Sequence, residues 1–165
     1  RKRVRGLRRT IVEEPWKEHL DSVISRHKAR MDALKARFPR MLNHQRFFDY
    51  SVGPGWEPSV EELLTRLEAQ EEPTESEPQL DRIDQVKQKF GDLRVNFTFH
   101  RLSAEAKAWV AEAVERCSRT CQTCGKPGRK QSDRGDYAVW CDACFTARQN
   151  GINRDNWRDK ACTTE

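Results

Sequence analysis

Apolar residues make up only 36% of this 165-residue sequence and aromatic ones only 8%, against 35% charged. That balance allows a modest core with long solvated faces. No apolar run approaches the ~18–20 residues of a membrane-spanning helix, so no membrane is expected as a partner. Histidine is scarce and lies in the wrong place for one kind of catalysis. His19, His27, His44 and His100 all precede the cysteine-rich region, which excludes finger-type nucleases of the His-Asn-His kind. A P-loop, a glycine-rich dinucleotide loop and a nucleophile elbow are also missing. The carboxylates are many, but spacing alone picks out no cluster of them. Neither an enzyme nor a small-molecule substrate is expected. No secretory signal is visible, and the first residue is Arg1 rather than Met, as in a fragment or processed chain. The expected location is therefore cytoplasmic.

Charge is abundant and unevenly spread. The first fifty residues carry a net +8, the next fifty −6 and the remainder +3, giving +5 in all. Arg1, Lys2, Arg3, Arg5, Arg8 and Arg9 form a basic tail, and Lys126, Arg129 and Lys130 add a second basic group near the cysteines. These nine are the candidate nucleic-acid contacts, since phosphate binding needs clustered cations more than a particular geometry.

Hydrophobic periodicity divides the chain into a basic tail (1–14), a helical region (15–70), an acidic linker (71–79), a strand and helix region (80–118), a finger (119–151) and a C-terminal tail (152–165). Trp16, Leu20, Val23, Ile24, Met31, Leu34 and Phe38 recur at helical spacing, with Pro15 in the first turn and Pro39 as the stop. His27 falls on that stripe and reads as a core-edge histidine. Residues 40–56 read as loop with a short extended piece at "RFFDYSV", ending in the turn "GPGW". Val60, Leu63, Leu64 and Leu67 mark a second helix. Leu93, Val95, Phe97 and Phe99 alternate with polar residues as a half-buried strand; before them Ile83, Val86 and Phe90 fit a helical turn while "KFGD" suits a hairpin turn, so residues 80–90 read as helix or strand, with strand-turn-strand favoured. Ser103 is a candidate N-cap for a helix facing inward through Ala106, Trp109, Val110, Ala113, Val114 and Cys117. The expected fold class is α+β.

Cys121, Cys124, Cys141 and Cys144 are two Cys-x-x-Cys pairs sixteen residues apart, a strong zinc signature. Each pair offers two sulfurs from one tight turn, and two pairs complete a tetrahedron. One Zn²⁺ per chain is expected, in a closed four-thiolate shell that leaves no position for a reacting water. Gly125 supplies the permissive backbone of a knuckle. A knuckle, a hairpin turning at 133–135 and a short helix predict a treble-clef or ribbon-like finger. Cys117 reads as a buried thiol, and Cys162 has no assigned role. The finger holds so few large apolar residues that the metal must supply much of its folding free energy.

Three stretches, "GWEPSVEELLTRLE", "QVKQKFGDLRVNF" and "CQTCGKPGR…VWCDAC", together resemble a family of uncharacterised bacteriophage and prophage zinc-finger proteins. The resemblance covers roughly residues 55–145. It implies a phage-type, intracellular zinc protein and no known activity. The finger alone also resembles that of the DksA/TraR regulators, which bind RNA polymerase, but that family has a long helical coil where this sequence has a hairpin block.

Two functions follow as expectations. One is a nucleic-acid-associated binding protein, on the strength of the nine basic residues. The other is an adaptor or inhibitor docking on a host or virion protein, through aromatics at Phe47, Phe48, Tyr50 and Trp56 if these are exposed.

Overall fold

A computed structural model describes residues 15–42, 49–70, 82–98 and 102–150, the side chains of 15–24 excepted. The basic tail, the acidic linker, Phe47, Phe48, Phe99 and Cys162 lie outside the described residues.

Helix α1 spans Pro15–Arg37, with proline in its first turn as expected. Met31, Leu34 and Phe38 bury the end of its apolar stripe. His27 does not join them. Residues 25–29 are all exposed, and among the residues whose side chains are described full burial on this helix starts at Met31. Pro39 ends α1 and at once opens a one-turn helix, α2 (Pro39–Leu42), where loop was expected. Proline suits a first helical turn as well as it suits a stop. Met41 and Leu42 bury themselves from this turn, and the backbone N–H groups of Arg40 and Met41 donate to the Glu68 carboxylate at 2.8 and 3.0 Å. In return the Arg40 guanidinium donates to the carbonyls of Leu67 and Gln70, at the end of α3 (Glu57–Glu68).

Strand β1 (Asp49–Ser51) pairs in parallel with β2 (Ile83–Lys89), which pairs antiparallel with β3 (Asp92–Phe97), in the order β1-β2-β3. A parallel pair needs a crossover connection, and α3 lies within it. The hairpin expected at "KFGD" is present, with Phe90 and Gly91 both at positive φ in a two-residue turn. Ile83, Val86, Leu93 and Phe97 face the core, with Val95 partly buried beside them. Helix α4 (Ala104–Ser118) starts at Ser103, whose hydroxyl accepts the Ala106 N–H at 3.0 Å, and packs on β3 and α3. The chain is thus mixed α+β. One hydrophobic cluster runs from Met31 through Trp56, Val60, Leu64 and Val86 to Cys117 and Val139.

Candidate metal centre

The four paired cysteines meet at one point. Their sulfurs all lie within 4.8 Å of one another, with Cys124 Sγ 3.6 Å from Cys141 Sγ. Sulfurs ~2.3 Å from a central zinc would stand ~3.8 Å apart at the corners of a tetrahedron, so the set fits such an ion. Cys121 and Cys144 are buried, Cys124 and Cys141 half-buried. The supporting elements follow treble-clef order. A knuckle at 121–125 carries the first pair. The hairpin of β4 (Arg129–Asp133) and β5 (Asp136–Trp140) follows, and α5 (Asp142–Gln149) carries the second pair at its start. Gly125 adopts φ +76°, as the knuckle requires, and Arg134 and Gly135 turn the hairpin.

The thiols respond to each other and to the backbone. Burial pushes the Cys124 thiol up to about 11 against the pull of the Lys126 backbone N–H, and the Cys121 and Cys141 sulfurs raise it further. Burial and the neighbouring sulfurs drive Cys144 higher still. Cys141 moves the other way. Burial alone would raise it, but the Cys144 N–H, which points at its sulfur from 3.5 Å, and the adjacent thiols outweigh that and hold it low. Its place as N-cap of α5 also favours the anion. Four thiolates in this space need a cation to coexist, so metal uptake must release protons.

The sulfurs have thin local support. Cys121, Ala138, Trp140 and Cys144 form a small cluster of their own, joined by Phe145. The Trp140 ring lies 5.7 Å from Phe145, and the Arg148 guanidinium sits 4.9 Å from the Trp140 ring centre. Arg148 also pairs with Asp133 and Asp136 at 2.8 and 2.7 Å, tying α5 to the hairpin.

The larger support comes from far away in sequence. "GPGW", read from sequence as a turn, is wedged against the back of the knuckle. Gly55 N–H donates to the Gln122 carbonyl at 2.9 Å, and Trp56 Nε1–H donates to the Thr120 carbonyl at 2.6 Å. A Cβ at Gly53 would overlap the Gln122 carbonyl, and one at Gly55 the Cys121 carbonyl. Two glycines flanking a proline, followed by a tryptophan, was the available signal for such a close approach.

Other candidate residues are scattered. Arg129 pairs with Asp142 at 2.7 Å and Lys130 with Asp92 at 3.2 Å, so both cations are partly compensated. Lys126 gives its carbonyl to the Cys121 N–H. Arg1, Lys2, Arg3, Arg5, Arg8 and Arg9 lie outside the described residues. Tyr50 and Trp56 are buried, so these two are core rather than surface anchors. Cys117 is a buried free thiol, as expected. Among the described residues no helix is long and apolar enough to cross a membrane.

No known protein family, curated protein or solved structure matches the chain.

Proposed function

We propose that this is a non-enzymatic, zinc-stabilised binding protein of phage type that associates with nucleic acid. The observation that carries the metal half is the convergence of the four cysteine sulfurs within 4.8 Å. Four thiolates around one zinc make a closed shell, which holds a fold together and leaves no position for a reacting water. The knuckle's use as the floor under Gly53–Trp56 agrees with that structural role. The phage-type half is supported by three sequence motifs in order, each in an element that bears on the finger: α3 with its Gly-Trp lead, the β2–β3 hairpin and the finger itself. Nucleic-acid association is supported by the basic tail and by Lys126, Arg129 and Lys130.

The test has two parts. Elemental analysis of the purified protein should give one zinc per chain. A content well below that, with all four thiols open to alkylation in the folded protein, removes the metal site. Oligonucleotide binding should be measurable at low salt and fall steeply as salt rises. Absence of binding at low salt, or affinity that is flat across salt, removes the nucleic-acid reading.

A further inference from the structure

The β2–β3 hairpin carries two features that folding does not reward. The first is Phe90. It occupies the first central position of the turn at φ +55°, in the left-handed region, where Asn, Asp or Gly is favoured and a bulky residue is strained. The residue is 61% exposed, so burial does not offset the strain. The second is the register Lys87↔Arg94, which sets two cations directly opposite one another on the face turned away from Val86, Leu93 and Val95. Like charges so placed are destabilising. Among the described residues no carboxylate forms an ion pair with Lys87. Asp92 lies nearby, but Lys130 at 3.2 Å and Arg94 at 3.8 Å already share it, and Lys89 stands across from it in the register.

The hairpin tip is also held in place. Lys130 reaches both Asp92 oxygens, and its aliphatic stem lies where a side chain on Gly91 would be. The Gln88 amide donates to the Tyr137 carbonyl. Phe90 and Tyr137, the two exposed large hydrophobic residues found among the described ones, therefore flank a single groove of about 370 Å³ between the hairpin and the finger. Trp140, Arg148 and Asp136, the last paired with Arg148 at 2.7 Å, also line it, and Lys89 Nζ stands 5.6 Å from the Phe90 ring centre.

We propose that the tip of this hairpin and the groove beside it form a binding site for single-stranded nucleic acid, with Phe90 and Tyr137 stacking on bases in the groove, Lys89 taking phosphate beside them, and Lys87 and Arg94 taking phosphates where the strand continues over the hairpin's outer face. Aromatic platforms beside a row of cations are the chemistry by which unpaired strands are held without sequence preference. A duplex keeps its bases stacked away from such rings, and an acidic peptide has nothing to stack. The inference rests on the nucleic-acid reading above, but moves the principal contact from the tail and finger cations to the hairpin.

The experiment is fluorescence anisotropy on the full zinc-loaded chain with labelled oligothymidine and oligouridine of about 20 nucleotides, and with a duplex of the same length. Both single strands should bind more tightly than the duplex, and a preference between them names DNA or RNA as the source. Phe90→Asn suits the left-handed turn, so it should keep the zinc and the fold while weakening binding about tenfold. Lys87→Gln with Arg94→Gln should lower the slope of log affinity on log salt by about 1.4. If these variants bind like the native chain while deletion of residues 1–9 abolishes binding, the hairpin site is overturned and nucleic-acid association stands. No oligonucleotide binding at low salt overturns both. Displacement of the strand by polyglutamate as readily as by unlabelled oligothymidine, with no effect of Phe90→Asn, also overturns the site.

Discussion

A methyl group at Gly55 would overlap the Cys121 carbonyl oxygen and the Gly125 amide nitrogen, both fixed backbone atoms of the knuckle. Neither can yield without moving the turn that carries Cys121 and Cys124. Gly55→Ala is therefore expected to cost about 3 kcal/mol, at the top of the range for overpacking, and to lower the denaturation midpoint without altering the slope. Trp56 tests the same contact more gently. Trp56→Phe keeps an aromatic ring but leaves the Thr120 carbonyl without its indole donor, a loss of about 1–3 kcal/mol by the same measurement. Cys117 makes a prediction in pH. Burial pushes its thiol up to about 11 against the weaker opposing effects of Ser59 and Arg116. The unfolded chain ionises this group near 9 while the folded chain keeps it neutral. Its contribution is fully present below pH 9 and is lost as pH rises through about 11. Stability should fall across that window by roughly 2–3 kcal/mol, and Cys117→Ala should flatten the decline. A residual slope would remain above pH 10, where burial keeps the Tyr50 hydroxyl neutral in the fold. An unchanged slope in Cys117→Ala would show that the thiol is not the group responsible.

Helices α3 and α4 are joined by a square of side chains, Glu62 and Arg66 from one and Glu112 and Arg116 from the other. Hydrogen bonding from Arg116 holds Glu62 below the usual carboxylate range, and hydrogen bonding from Arg66 does the same for Glu112. Depressed carboxylates add stability above their ordinary value near 4.5 that disappears as pH falls through the folded value. The square is solvent-exposed, so its share should shrink with salt. Glu62→Gln should shallow the acid limb of a stability–pH curve at low salt and leave it little changed at high salt. The hairpin gives an opposite test, because Phe90→Asn relieves a left-handed phenylalanine and should raise stability by about 1 kcal/mol. The same elements show what could be read in advance. Leu93, Val95 and Phe97 alternate, so β3 and its "KFGD" turn were legible from a period of two, and the four cysteines from their spacing. β1 was legible only as an extended piece. Its parallel pairing with β2 depends on residues more than thirty positions away. The helical turn α2 was hidden because Pro39 reads equally as a stop and as a start. The exposure of His27 was hidden because periodicity shows which side of a helix is apolar, not where the core beneath it ends.

At the scale of the whole molecule, the cysteine cluster and the core are one system. The sequence alone leads to a separable finger, with Cys141→Ser unfolding 119–151 and sparing the helix from Trp16 to Phe38. In the structure, Trp56 is fully buried with its indole bonded to Thr120, one residue before the first of the four clustered cysteines. Gln122 N–H bonds to the Val139 carbonyl, and the Val139 side chain belongs to the main cluster. Leu34 of α1 and Phe38, just beyond its end, bury in that same cluster. Loss of the metal frees the thiols to protonate and spread, which removes the floor from Gly53–Trp56 and so opens the cluster itself. A structural zinc supplies on the order of 10 kcal/mol of folding free energy, comparable to the whole stability of a domain this size. Chelation should therefore lower one cooperative thermal transition instead of deleting a small early one. Trp56 and Trp140 should move together to red-shifted, solvent-exposed fluorescence. The measurement is a thermal scan of zinc-loaded and chelated protein, followed by both far-ultraviolet ellipticity and tryptophan emission. Coincident loss of both signals supports a single unit. Retention of most helical ellipticity after tryptophan emission has shifted would show that the finger unfolds alone and that the Gly53–Trp56 contact is not the coupling.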